Sequence, residues 1–202
     1  MNDEEYLKQI SGGINPGGKS KFSFMSSTIF KVSMGGIIAF IVLAIIGAIL
    51  SGGRVDTKTK AIRLRLRLEN TADVISDYQD DIRSPTLRAH GASLKSVLSS
   101  TDNEVNEYLA EKYDFKSGKE DKKLKDEAAQ NKEALENALF DGKINGVLDR
   151  IFVSEMSYEI SLLIADETSI YNSADNSLKV IMKTSLDSLR KLSETFESYS
   201  NN

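Results

Sequence analysis

The chain has no cysteine, no tryptophan, one histidine and two prolines in 202 residues. Without Cys there is no disulfide scaffold, no thiolate zinc site and no thiol nucleophile, and the redox compartment is left open. Scarce proline leaves room for long uninterrupted helices. A basic excess is also missing. Lys and Arg total 26 against 30 Asp and Glu, a net charge of −4. A nucleic-acid binder would carry a strong basic bias, so no nucleic-acid partner is expected. Charged residues at 28% and hydrophobic ones at 40% suit a globular domain of ordinary size, with some chain to spare. That average hides one concentration of apolar residues.

Val32 to Leu50 reads VSMGGIIAFIVLAIIGAIL, 19 residues without a charge. As a helix it spans about 28 Å, close to the hydrocarbon thickness of a bilayer. A soluble helix keeps a polar face, and this one has none. A cleaved signal peptide is the rival reading. Against it, the run exceeds the usual apolar region of about 7–15 residues, a long tail precedes it, and no A-x-A site follows. Ser51-Gly52-Gly53 is a poor substitute for such a site. The segment is expected to stay as a transmembrane signal anchor at residues 32–50. Phe22, Phe24 and Phe30 suit the headgroup layer, and Lys31 can snorkel toward phosphates. Phe30, Lys31 and Arg54 are the candidate membrane-interface residues. Gly35/Ala39 and Ala44/Ala48 give small residues four apart, a spacing that permits helix pairing and so an oligomer.

Orientation draws opposite arguments from the two flanks. Lys19, Lys21 and Lys31 precede the run with no acid after Glu5, while Arg54, Lys58, Lys60, Arg63, Arg65 and Arg67 follow it. Counted plainly, the second flank is the more positive. Flanking charge governs short segments, however, and long domains translocate largely regardless of it. The expected arrangement is a single-pass plasma-membrane protein with a cytoplasmic N-terminus and an extracytoplasmic C-terminal domain.

Residues 1–31 form a flexible tail broken by Ser11-Gly12-Gly13 and Pro16-Gly17-Gly18. Gly13 to Ser20 satisfies the G-x-x-x-x-G-K-S pattern of a phosphate-binding loop. That loop needs a strand before it and a soluble helix after it. Here a short tail precedes and the apolar run follows, so Lys19 is better read as an orientation charge and no cofactor is expected.

From residue 51 onward the chain is rich in helix formers. Ser84-Pro85 is an N-cap followed by proline at the first helical position. Leu87, Leu94, Val97, Leu98, Val105, Tyr108 and Leu109 then share one helical face. Leu124, Leu135 and Leu139 mark a short charged helix. Ile144, Leu148, Ile151, Phe152, Met156, Leu162 and Leu163 mark a longer one. Leu178, Met182, Ser185, Leu189, Leu192, Phe196 and Tyr199 recur in steps of three and four, a seam that packs on neighbours. Breaks are expected near Asp114–Lys119, at Asp141-Gly142 and at Tyr171–Asp175. IRLRLRL at 62–68 alternates like a strand, but a lone strand has no partner. It is read as a helix with an arginine-rich side near the headgroups. The fold class is therefore all-α: one transmembrane helix, then an antiparallel bundle of four or five helices over 51–202. Its charge, 22 basic against 27 acidic residues from Arg54 onward, suits a solvated surface.

SPTLRAHGASLKSVL, LDRIF and DNSLKVIMKTSLDSLRKL, within residues 84–199, resemble the uncharacterised ferritin-like four-helix domains of exported bacterial proteins. The resemblance implies a bundle and an exported domain, and no activity. Iron sites of ferritin-like bundles use inward Glu residues with Glu-x-x-His pairs. The chain has only His90, with no Glu three residues before it, and Glu155 with Glu159 is the nearest approach to a ligand pair. The simpler assignment puts His90 at a core edge and the two Glu beside the apolar stripe. Asp80-Asp81 is read as a solvated face. Catalytic, cofactor and metal residues are thus expected to be none. The expected role is binding or scaffolding at the cell envelope, with the lipid bilayer and a protein as partners. A transmembrane signal-relay subunit is the first alternative and a ferritin-like metal-binding protein the second.

Overall fold

The structure, a computed structural model, describes residues 56–200. The tail, the apolar run at 32–50, the phosphate-loop pattern and Phe30, Lys31 and Arg54 lie outside the described residues. Those described form five α-helices and no strand: α1 (Thr57–Tyr78), a 3-10 turn (Gln79–Asp81), α2 (Pro85–Tyr113), α3 (Lys122–Ile144), α4 (Leu148–Ser173) and α5 (Asn176–Ser200). No helix among the described residues is long and apolar enough to cross a membrane.

The alternating stretch 62–68 is helical because α1 is enclosed on several sides. It packs on α2, α3 and α4 together. Leu64, Leu66 and Leu68, spread around the helix by their two-residue spacing, therefore all find cover. The intervening arginines, expected beside headgroups, are instead held by carboxylates of the bundle itself. Arg63 pairs with Glu127 at 3.2 Å, Arg65 with Glu120 at 3.0 Å and Arg67 with Asp166 at 2.7 Å. They are the ties that dock α3 and α4 on α1.

Helix directions follow from these contacts. Thr57 and Lys60 of α1 bond to Ser173 and Ser169 near the end of α4, so the two run antiparallel. Asp73 and Asp81 meet Lys132 and Lys143 in the same order along α3, which is parallel to α1. Thr101 of α2 meets Ser185 of α5, and Tyr108 meets Asp175, again antiparallel. The helices α1, α2, α5 and α4 close a ring of antiparallel neighbours. The remaining helix, α3, crosses the length of that ring from the end of α2 to the start of α4, lying on α1 and α4. Its one-sided packing explains its thin apolar stripe: only Leu135, Leu139 and Gly142 are buried along it.

Several local expectations hold. Ser84 caps α2, its Oγ accepting from Leu87 N at 3.2 Å, with Pro85 in the first turn. Asp114 and Ala174 end α2 and α4 where breaks are expected. Asp141-Gly142 is not a break. Gly142 stays helical because it is a packing surface: a Cβ there would lie 3.0 Å from Ile151 Cβ. The chain turns instead at Gly146, whose φ of +69° favours glycine. Consequently Ile144 ends α3 rather than joining the α4 seam, and it is 64% exposed.

Candidate functional site

The centre of the ring holds an acid. Glu167, on α4 between Leu163 and Ile170, is fully buried. Its Oε1 accepts the Ser185 hydroxyl of α5 at 2.7 Å, and Ser185 Oγ in turn accepts from Thr101 of α2 at 3.0 Å. Burial pushes its carboxyl up to about 8, opposed by the Ser185 hydrogen bond and aided by Asp166. The group is therefore a neutral acid at pH 7. Its Oε2 has no hydrogen-bond partner among the described residues. Three helices are held in register by this chain of side chains, since hydroxyl and carboxyl partners must meet within hydrogen-bond distance.

A second polar layer lines α1. Glu120 is buried under Arg65 and also accepts from Gly118 N. Burial alone would raise its carboxyl, but Gly118 N–H, its own N–H, Lys125 and Arg65 outweigh that and hold it below the usual range. Ser117 and Glu69 also accept from Arg65 at 3.0 Å each. Beside it, burial raises the Asp102 carboxyl to about 6, with Arg65 opposing and Glu69 and Asp73 adding to the rise. Glu159 is likewise raised by burial, against the pull of Arg67 3.6 Å away. Arg65 with Glu120 and Arg67 with Glu159 join separate parts of the bundle.

The turn end of the bundle, where α1, α2, α3 and α4 meet at residues 79–84 and 143–150, is more open. A cavity of about 440 Å³ is lined there by Asp81, Arg83, Lys143, Asp149 and Arg150 among others. Asp149 accepts from Arg83 N and Ser84 N at 2.9 Å each, fixing the entry of α2 against α4. Lys143 is paired with Asp81 at 2.6 Å. The guanidinium groups of Arg83 and Arg150 have no carboxylate partner among the described residues. Next to Lys143 the last turns of α3 present Phe140, 53% exposed, and Ile144, four residues on. Phe140 and Ile144 thus make an accessible apolar pair on one helical edge.

The residues singled out from sequence are placed as follows. His90 sits half-buried with its ring centroid 6.2 Å from Phe196 and 6.4 Å from Tyr199, an aromatic contact at the core edge. Glu155 and Glu159 do not converge with it, and no group of three potential metal ligands occurs among the described residues. Asp80 is exposed, but Asp81 joins Lys143 rather than remaining a free solvated charge. Sequence reading missed Glu167, although its spacing from Leu163 and Ile170 puts a carboxylate on an apolar stripe. It also missed the Phe140–Ile144 patch, because Ile144 was assigned to the neighbouring seam. No family model, no curated protein and no solved structure matches the chain.

Proposed function

We propose that this protein is a single-pass, membrane-anchored helical bundle with a binding or scaffolding role at the cell envelope. The observation that carries the reading is the exposed apolar pair Phe140 and Ile144 on the last turns of α3, at the same end of the bundle as the cavity lined by Arg83 and Arg150. It lies at the opposite end of the bundle from Thr57, the residue that follows the apolar run 32–50 most closely among the helical ones. Large apolar side chains accessible on the bundle surface suit a binding site for a protein partner. In this reading the tail is cytoplasmic and the bundle extracytoplasmic, and an oligomer is compatible with both.

The ring with one long crossover supports the resemblance to ferritin-like bundles, which use that connection. The signal-relay alternative has one observation in its favour. The Thr101–Ser185–Glu167 chain ties three helices in register, and a helix shift of an ångström or two would break it. A photo-crosslinking amino acid at position 144 of the full chain in cells should give a discrete protein adduct. The same group at Lys183, exposed on the middle of α5, should give none. Identical labelling from both positions, or none from either, would remove the binding role.

A further inference from the structure

The helix α3 is held to the bundle differently from the other four. Along its 23 residues only Leu135, Leu139 and Gly142 are buried, whereas α4 hides Phe152, Met156, Ile160 and Leu163 completely. A helix that covers so little apolar surface gains little from burial. Its docking leans on polar ties instead. Glu127 meets Arg63 of α1 at 3.2 Å, Lys132 meets Asp73 at 3.2 Å and Lys143 meets Asp81 at 2.6 Å. Asn70 Nδ2 and Tyr78 Oη of α1 donate to the carbonyls of Ala128 and Glu136 at 3.0 and 3.1 Å. All three ion pairs reach solvent, where screening keeps the contribution of a pair small. Docking also leaves a polar group unsatisfied. Arg63 Nε, in the same guanidinium that meets Glu127, is buried with no hydrogen-bond partner among the described residues, which weakens the docked state.

The ring does not need α3 for its closure. The two helices under it, α1 and α4, are tied to each other by Arg67 and Asp166 at 2.7 Å and by Lys60 Nζ and Ser169 Oγ at 3.0 Å. Neither contact includes a residue of α3. The two connections of α3 add little to hold it at their turning points. Gly118 and Gly146 take φ of +86° and +69°, and nothing lies within 4 Å of where a Cβ would stand on either. Before the helix begins, Glu120 is fixed under Arg65, both of them buried. The helix is therefore fastened at its first end and joined through an open glycine turn at its second.

We propose that α3 is a strap that comes off the α1–α4 face by itself while the ring of α1, α2, α5 and α4 stays folded. Opening separates the three rim ion pairs and withdraws Leu135 and Leu139. It uncovers a groove that already fits one helix, with Asn70 and Tyr78 as donors and Arg63 as a cation. Opening of one unit below the free energy of global unfolding is the behaviour of a segment with few buried apolar contacts. Neither the anchor nor a partner at Phe140 and Ile144 is needed for this motion.

The test uses the full chain in an uncharged detergent. The protein has no cysteine of its own, so L139C and M156C each introduce a single thiol at a completely buried site. The first is on α3, and the second is on α4 in the stripe that holds Phe152. An alkylating reagent should label L139C at least about tenfold faster than M156C, a margin well inside the spread of local openings. Raising NaCl from about 0.05 to about 0.5 M should speed labelling of L139C about threefold and leave M156C no faster, because only the rim pairs are screened. K132E should speed L139C labelling about fivefold, and D73K added to it should restore the rate by reversing the pair. A helix that is merely unstable would not be rescued in this way. L135C and L163C repeat the comparison should either of the first two fail to fold. Equal rates for the two thiols would make the five helices one cooperative unit and overturn the proposal. A rate at position 139 indifferent to both salt and K132E would overturn it as well.

Discussion

Glu167→Gln should flatten the pH dependence of stability and make the bundle more stable than its parent at pH 8 and above. In the folded chain burial raises this carboxyl to about 8, whereas in the unfolded chain it ionises near 4.5. The folded state therefore holds a proton that the unfolded state has released. Stability from this group is complete below about pH 4.5, falls as pH rises through the interval and is gone above about 8. At about 1.4 kcal/mol per unit the full loss is on the order of 5 kcal/mol. Asp102, raised by burial to about 6, contributes in the same direction over a lower interval, and Glu159 and Asp166, both raised by burial, add to the same trend. Gln keeps an oxygen for the Ser185 hydroxyl and never ionises, so it removes the share of Glu167 alone. Urea unfolding of residues 54–202 from pH 5 to 9 measures this. A variant with the parent's slope would show that Glu167 is not the group that titrates.

Phe152→Ala should cost about 3–5 kcal/mol, the range for emptying a fully buried aromatic site, and lower the melting temperature by roughly 10 °C. Phe152 is completely buried on α4, with its ring centroid 6.4 Å from that of Phe196 on α5. It reaches α2 at Gly91, where an added Cβ would lie 3.2 Å from Phe152 Cζ and 3.8 Å from Ile75 Cγ2 of α1. One ring thus touches the space shared by all four helices of the ring, and backbone on several sides limits collapse into the void. Gly91→Ala should be better tolerated in the variant than in the parent, because the new methyl then enters the cavity. Thermal melts of the four proteins give the coupling. Additive losses would mean that the ring and Gly91 are not in contact.

The architecture was largely legible in the sequence because bundles announce themselves through apolar spacing. The seam from Leu178 to Tyr199 and the Ser84-Pro85 cap needed no tertiary information: each is a pattern within one helix. What was hidden depends on pairs distant in sequence. Arg63, Arg65 and Arg67 read as charges for a headgroup layer, since nothing local reveals Glu127, Glu120 and Asp166 waiting elsewhere in the bundle. Gly142 read as a helix stop because a glycine that ends a helix and one that lets Ile151 approach look alike in one dimension. The exposed pair Phe140 and Ile144 was concealed by the same displacement of the turn to Gly146. Glu167 is the instructive case. A carboxylate on an apolar stripe is visible locally, but its neutrality at pH 7 follows only once Ser185 and the surrounding core are in place.

The claim that an uncleaved anchor holds this bundle outside the cell is tested most directly by protease treatment of intact cells, followed by the mass of the fragment left in the membrane. The account predicts loss of the bundle and a membrane-retained fragment containing the tail and residues 32–50. A fully protected chain, or a mature product that begins near Arg54 and lacks the apolar run, would contradict it.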